Sequence, residues 1–106
     1  MKNEYIVIYV TAKDKRQATT IATALLKDRL IACANVVPQL TSIYTWKGKI
    51  EQSKEVLLIL KTKKTSFHAV AKKVKLIHSY QLPEIIALPV VAGDKDYLTW
   101  IKENVC

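Results

Sequence analysis

The sequence is poor in the residues that interrupt or cross-link a chain: its 106 residues include only two Gly, three Pro and two Cys. Hydrophobic residues make up 50% of the composition. Little Gly and Pro together with many apolar residues excludes a disordered or low-complexity chain. Because this length supports one hydrophobic core but not two, we predict a single domain over residues 1–106.

The two cysteines, Cys33 and Cys106, lie far apart in the sequence. A structural zinc site needs about four ligands at short spacings, so cysteine alone cannot form one, and no disulfide framework is expected. No apolar run approaches the roughly 20 residues that cross a bilayer, and the first residues lack the apolar stretch of a signal peptide. These absences predict a soluble, cytoplasmic protein without a membrane partner, and we expect Cys106 to be a mobile terminal thiol.

Catalytic groups are also scarce. The only histidines are His68 and His78, and the only glycines are Gly48 and Gly93. No nucleophile has an evident base beside it, and a Gly-rich phosphate loop is absent. The sequence therefore predicts that the protein is not an enzyme.

Positive charge is in excess, with 17 Lys and Arg against nine Asp and Glu and a net charge of +8. Such a surplus attracts phosphate-rich or acidic partners. However, the basic residues are spread along the chain, on polar faces of predicted helices or at strand ends. This distribution favours a solvated surface over a nucleic-acid site.

The most distinctive feature is a pair of long β-type runs, residues 36–46 and 50–60, joined by a tight turn at residues 47–49. Eleven extended residues span about 36 Å, whereas a domain of this size has a radius of gyration of about 13 Å. The hairpin should therefore project beyond its own domain. Because its edges are unpaired and it carries large aromatic residues, we predict that it is used for self-association.

The remaining patterns complete the order of elements. Asp14, with Gln17 in the capping-box position, predicts a helix start, and Thr65 or Ser66 predicts a second one. Pro38 predicts a bulge or an edge strand. The predicted elements are a strand at 5–11, a helix at 15–28, the hairpin, a helix from residue 67, a strand at 85–91 and a short C-terminal helix. In the helix at 15–28 the apolar residues at the i, i+3, i+4 and i+7 positions share one face that we expect to be buried, namely Ala18, Ile21, Ala22 and Leu25.

This order is that of an α+β, ferredoxin-like βαββαβ sandwich with a long β2-β3 hairpin and an added C-terminal helix. Two helices cover one face of the sheet in this plan. Residues 56–60 are apolar throughout, and successive side chains on a strand point to opposite faces. We therefore expect a partner subunit to cover the second face.

Several blocks of the sequence resemble the CutA family of divalent-cation tolerance proteins: ACAN at 32–35, YTWKGKIE at 44–51, HSYQLPEIIALP at 78–89 and YLTW at 97–100. The resemblance covers nearly the whole chain. It implies a cytoplasmic homotrimer of ferredoxin-like subunits, similar to the PII signalling proteins, with hairpins that pair between subunits. It also implies divalent-cation tolerance and binding of a metal ion, with copper the first candidate. A PII-like signalling or scaffold protein is the alternative within this architecture.

The resemblance further implies metal ligands at a Cys ending the first strand and at two adjacent His residues. The matching positions here are Val10, Ile77 and His78. Imidazole and thiolate are the ligands that copper prefers, so we predict a site at His78 with Cys33, or at symmetry copies of His78. The alternative is a helix-terminal His bonded to backbone and an inert buried Cys33 thiol.

Two further sets of residues are predicted to act between subunits. A cleft that binds a small anion or a metal-linked ligand is predicted from Lys61, Tyr80 and Glu84, the alternative being an interfacial salt bridge with a tyrosine hydrogen bond. Because buried aromatic residues dominate interface energetics, the trimer interface is predicted to contain Tyr44, Trp46 and Trp100.

A different class of function is RNA binding, because RNA-recognition motifs share the βαββαβ order. Those modules stack bases on aromatic residues of their first and third strands. Tyr5 and Tyr9 could serve in the first strand, but residues 56–60 provide no aromatic in the third. The RNP1 pattern is also missing, so a nucleic-acid partner is not expected.

Overall fold

The computed structural model describes residues 4–106. Its elements follow the predicted order, with a 3-10 turn before the second helix. They are β1 (Tyr5–Ala12), α1 (Lys15–Lys27), β2 (Cys33–Trp46), β3 (Lys49–Lys63), the 3-10 turn (Lys64–Ser66), α2 (Phe67–Ile77), β4 (Ile85–Pro89) and α3 (Lys95–Asn104).

The four strands form one antiparallel sheet in the order β2-β3-β1-β4. This is the arrangement of the ferredoxin-like plan, so the predicted α+β fold is confirmed. Helices α1 and α2 cover one side of the sheet, here called the helix face, and the other side is called the open face. No helix within residues 4–106 is long and apolar enough to cross a membrane.

The hydrophobic core lies between the helix face and the two helices. Ile8, Val10, Leu58 and Leu60 are fully buried there. On α1 the buried side chains are those at the i, i+3, i+4 and i+7 positions expected from the sequence, and they are Ala18, Ile21, Ala22 and Leu25. The period of 3.6 was thus sufficient to predict which side of α1 packs.

The two helix starts differ in how their first N–H groups are satisfied. The Asp14 carboxylate accepts a hydrogen bond from Gln17 N at 2.8 Å, as predicted for an N-cap. Ser66 precedes α2, but its side chain makes no capping hydrogen bond, so the prediction of a side-chain cap there was wrong. The 3-10 turn instead tightens the entry to the helix.

The hairpin is longer than the sequence predicted, with 14 residues in β2 and 15 in β3. Trp46 pairs with Lys49 across a two-residue loop. Lys47 and Gly48 have φ angles of 52° and 80°, which is the type I′ geometry that matches the twist of a hairpin. The arm makes the subunit elongated, with extents of 44 × 26 × 23 Å.

Pro38 lies both at a β-bulge and on an edge strand, the two features that its position predicted. β2 is an edge strand of the sheet, and the register shifts by one residue between Val37 and Leu40. Gln39 adopts a φ of 63° within this bulge. The bulge places Leu40, rather than Gln39, opposite Glu55.

The open face is largely apolar. From the strand register, its side chains include Val7, Tyr9, Cys33, Val37, Leu57, Ile59, Ile86 and Leu88. On β4, Ile86 is 51% and Leu88 41% exposed in the single chain. Helix α3 packs against β3 and leaves these β4 side chains accessible. The open face therefore presents apolar surface that the chain does not cover by itself.

The C-terminal residue is held rather than mobile, which corrects the expectation for Cys106. Its N–H donates to the Arg29 carbonyl at 3.0 Å, and the preceding Val105 is buried. Arg29 has a φ of 55° and donates from its guanidinium to Glu103 O at 3.2 Å. Packing of α3 against the body of the domain therefore fixes this end.

Candidate functional site

A groove of about 960 Å³ lies between the hairpin arm and the segment that leads into β4. The hairpin supplies one wall, and residues 80–86 supply the other. The lining residues are Thr11, Ser42, Ile43, Tyr44, Thr45, Trp46, Ser53, Glu55, Tyr80, Gln81, Leu82, Pro83, Glu84, Ile85 and Ile86. We call this feature the hairpin groove.

Glu55 and Tyr80 join the two walls of the hairpin groove. Glu55 is only 9% exposed, and its Oε2 accepts a hydrogen bond from the Tyr80 hydroxyl at 2.7 Å. Burial, followed by this hydrogen bond, raises the pKa of Tyr80 well above its ordinary value. The phenol is therefore held as a donor to the carboxylate.

The local sequence explains why Glu55 faces the groove. Alternation along β3 puts Glu51, Ser53 and Glu55 on one side of the strand, opposite Tyr44, Ser42 and Leu40 of β2 in turn. The bulge at Pro38 sets this register. Because bulges change the direction of a strand and re-aim its side chains, this one determines which residues of β2 accompany Glu55.

The Glu55–Tyr80 bond has a consequence for stability at high pH. Because the folded pKa of Tyr80 is raised, unfolded chains lose this proton first, and stability falls as pH rises above the ordinary tyrosine value. Tyr80→Phe should therefore lose less stability than the wild type between about pH 9 and 11.5. Denaturant unfolding of both proteins at each pH measures the difference, and parallel curves would contradict the prediction.

His78 fixes the start of the segment that leads into β4. Its Nδ1 accepts from Tyr80 N at 3.0 Å, so Nε2 carries the proton and donates to the Thr11 carbonyl at 2.7 Å. The imidazole also lies against the Tyr80 ring, with centroids 4.6 Å apart. Both ring nitrogens are thus occupied by backbone groups, the arrangement considered as the alternative to metal binding.

Cys33 belongs to a different cluster, on the open face. It pairs across the ladder with Lys61, whose Nζ lies 4.0 Å from Cys33 Sγ and also donates to Asn35 Oδ1. Lys61 is opposite Val7, whereas His78 contacts Thr11. These β1 positions are roughly 13 Å apart along the strand, so one chain does not bring Cys33 and His78 together.

No cluster of three or more His, Cys, Asp or Glu side chains with metal-binding geometry occurs within residues 4–106. The metal ion expected at His78 with Cys33, or at symmetry copies of His78, stays a prediction.

The three residues predicted to form a cleft, Lys61, Tyr80 and Glu84, do not all lie together within the single chain. Tyr80 and Glu84 both line the hairpin groove. Lys61 does not, because it lies six positions along β3 from Glu55, or roughly 20 Å. The placement of Lys61 in a cleft between subunits stays a prediction.

The three aromatic residues predicted for the interface are exposed in the single chain, with exposures of 42% for Tyr44, 38% for Trp46 and 42% for Trp100. Tyr44 and Trp46 line the hairpin groove. Trp100 lies on α3 beside Tyr97, with ring centroids 5.6 Å apart. All three rings are therefore accessible to a partner or ligand.

Glu55 and Thr11 contribute to the site but were not singled out from the sequence. A signal for Glu55 was present, because it ends the polar alternation of residues 51, 53 and 55 just before an apolar run. Thr11 acts through its backbone carbonyl. Every residue has a backbone carbonyl, so the residue type does not indicate this role.

Comparison with known proteins places the chain among close relatives. It is 45% identical over 98 residues to the divalent-cation tolerance protein CutA of Thermus thermophilus, covering 92% of this chain and 95% of that protein. The crystal structure of CutA1 from Oryza sativa superposes with a TM-score of 0.95 at 38% identity, over 99% of this chain and 96% of that one.

A third structure, described as the periplasmic divalent cation tolerance protein CutA from Archaeoglobus fulgidus, has a TM-score of 0.92 at 41% identity, over 94% of this chain and 97% of that one. The family model described as CutA1 divalent ion tolerance protein matches residues 6–104. The sheet order, the long hairpin and these matches agree, and the chain belongs to the CutA1 divalent ion tolerance family.

Proposed function

We propose that the protein is a non-enzymatic homotrimer that responds to divalent cations, with copper the first candidate, and that binds its metal ion or a small ligand in or near clefts between subunits. The names of its relatives describe divalent-cation tolerance. The observation that supports the proposed trimer is the exposed apolar surface of the open face.

The open face supports self-association because both helices α1 and α2 lie on the opposite side of the sheet. Partly exposed side chains such as Ile86 and Leu88 would leave water when subunits meet, and apolar burial contributes about 25 cal/mol per Å². The projecting hairpin extends this contact, with Tyr44 and Trp46 on one side of its arm. PII-like trimers provide the model for this arrangement.

A metal at His78 has a defined structural requirement. Copper needs a free imidazole lone pair, whereas Nδ1 accepts from Tyr80 and Nε2 carries the proton given to Thr11. Binding must therefore displace Tyr80 N–H from Nδ1 or the proton from Nε2. Joint ligation with Cys33 would have to use residues of different subunits.

Calorimetric titration with Cu(II) and Zn(II) tests this role of His78. We expect the copper heat of the wild type to be lost in His78→Ala and kept in His68→Ala, which removes the other histidine at an exposed position of α2. Ligation at Nδ1 would break the hydrogen bond from Tyr80 N, so the Tyr80 amide resonance should then shift with diamagnetic Zn(II) and broaden with paramagnetic Cu(II). Equal copper binding by both variants would exclude His78 as a ligand.

The proposal that the protein lacks catalysis is supported by the positions of its two histidines, the side chains most often used as catalytic bases. Both ring nitrogens of His78 are bound to backbone groups, and His68 lies at an exposed position of α2. The cytoplasm is the proposed compartment, since Cys33 and Cys106 are both free thiols and free thiols are typical of reducing compartments.

A further inference from the structure

We propose that the outward surface of helices α1 and α2 binds a linear inorganic polyphosphate chain. We call it the basic helix surface, and it is defined by six exposed cations: Lys15, Arg16, Lys27, Lys64, Lys72 and Lys75. It lies on the side of the sheet opposite the open face, so the subunit contact proposed above does not use it. The inference is independent of the proposed metal response.

The two helices carry charge of only one sign. Together α1 and α2 contain six Lys and Arg residues and no Asp or Glu. By contrast, α3 is balanced, with Lys95 and Lys102 against Asp96 and Glu103. A surface that serves only solubility usually mixes both signs, whereas a surface of one sign attracts ligands of the opposite charge. This segregation therefore indicates an anionic ligand.

The two acidic residues that flank α1 are engaged elsewhere. The Asp14 carboxylate caps the helix by accepting a hydrogen bond from Gln17 N at 2.8 Å. Asp28 forms an ion pair with Lys73 at 2.9 Å, and for that reason Lys73 is not counted in the basic helix surface. Within residues 4–106, no carboxylate forms a salt bridge with any of the six cations of this surface. Their charges are therefore available to a ligand.

Helix stability does not explain these cations. Lys15 and Arg16 lie in the first turn of α1, where the positive end of the helix dipole disfavours a positive charge. Lys72 and Lys75 are both exposed on α2, and residues three positions apart on a helix are neighbours, so their like charges repel each other. An anion bound across the surface would offset both effects.

The spacing of the cations favours an extended ligand. Arg16 and Lys27 lie near opposite ends of α1 and are about 16 Å apart along its axis. The Lys73–Asp28 ion pair joins α2 to the end of α1, so the cations of both helices belong to one surface. A single phosphate ion reaches only one or two of these groups. A chain of phosphates reaches several at once and releases counterions at each contact.

The composition of the surface favours polyphosphate over nucleic acid. Five of its six cations are lysines, which act as compact point charges rather than as planar, bidentate groups. The exposed positions of α1 and α2 include no Phe, Tyr or Trp, the residues on which single-stranded nucleic acids stack their bases. Polyphosphate presents phosphate charges without bases, so it needs no stacking partner.

A membrane fits the surface less well than a soluble polymer. The apolar sides of both helices are buried in the core, so neither helix can insert that side into a bilayer as an interfacial amphipathic helix does. The large apolar residues exposed on these helices are only Leu26 and Leu76. Attraction to this surface is therefore mainly electrostatic, which suits a polyanion in solution.

A series of polyanions tests the ligand class. Metal-free wild-type protein in EDTA would be titrated by calorimetry with polyphosphate, orthophosphate, an oligouridylate with the same number of phosphates, and phosphatidylglycerol vesicles. Polyphosphate should bind at least about tenfold more tightly than each of the others. With six contacts, the logarithm of its binding constant should fall with the logarithm of salt concentration with a slope of about −4. Its amide shifts should fall on residues 15–27 and 64–76.

Two double variants with the same change in net charge test the location. Lys27→Gln with Lys72→Gln removes one cation from each helix, so affinity should fall roughly tenfold or more and the salt slope should become shallower by about 1.4. Lys95→Gln with Lys102→Gln removes two exposed cations of α3 and should leave both quantities nearly unchanged. Circular dichroism checks the fold of both proteins, and amide shifts on the wild type decide the location if a variant does not fold.

The outcomes identify which part of the inference fails. Absence of polyphosphate binding, or equal losses of affinity in the two double variants, would overturn the assignment to the basic helix surface. Equal or tighter binding of the oligouridylate or of the vesicles would replace polyphosphate with that ligand and overturn the ligand class. Copper binding is measured separately without EDTA, so failure of the metal proposal leaves these results unaffected.

Discussion

Leu88→Glu is expected to convert the proposed trimer into single chains. Leu88 lies on the open face of β4, opposite Val7, and is 41% exposed in the single chain. Burial of a leucine contributes about 1.5–3 kcal/mol, and a buried, unpaired carboxylate adds a further cost. Both penalties apply once in every subunit of the assembly.

Sedimentation at micromolar concentration measures this result. The exposed Leu76 of α2, with 73% exposure, provides a matched control, because Leu76→Glu introduces the same side chain on the helical side of the domain. Far-ultraviolet circular dichroism should show that both variants keep the fold. A trimeric Leu88→Glu protein, or a wild type that sediments as a stably folded single chain, would contradict the proposed assembly.

Trp46→Ala has the second large expected effect. Trp46 is 38% exposed, and within the chain its ring has the Lys47 ammonium 5.9 Å from its centroid. If neighbouring subunits bury the indole completely, its removal should cost about 3–5 kcal/mol per chain. The loss should appear as a lower denaturation midpoint and a weaker assembly.

Leu26→Ala is the comparison for this variant, because Leu26 is 42% exposed on α1 and lies outside the proposed interface. It should change stability only slightly. The melting temperature of a protein that is stabilised by assembly also depends on protein concentration. In Trp46→Ala this dependence should be easier to detect at low concentration, because the assembly is weaker. An unchanged trimer with unchanged melting would refute the placement of Trp46 between subunits.

The fold was predicted best where a short sequence pattern is compatible with only one local structure. The stripe from Ala18 to Leu25 faces the core as its helical period predicted, and Pro38 lies at both a bulge and a sheet edge. The start of α2 was predicted less well, because Ser66 does not cap it. A 3-10 turn can replace a side-chain cap, and nothing in the residue types distinguishes the two.

The candidate site depended on contacts between distant parts of the chain. Tyr80 was recognised from its family block, but its partner Glu55 lies 25 residues away and was not. Lys61 was grouped with Tyr80 and Glu84 because all three are polar residues at element ends. The strand register then placed Lys61 six positions along β3, or roughly 20 Å, from Glu55, the residue that Tyr80 contacts.

The sequence by itself therefore determined the order of strands and helices, the buried side of α1, the long hairpin and the family, because periodicity and local motifs depend on neighbouring residues. Only the tertiary structure decided that Glu55 meets Tyr80 and that both nitrogens of His78 are bound to backbone. These features arise from register, a one-residue bulge and the path of residues 78–84, which place side chains and carbonyls that no local pattern connects.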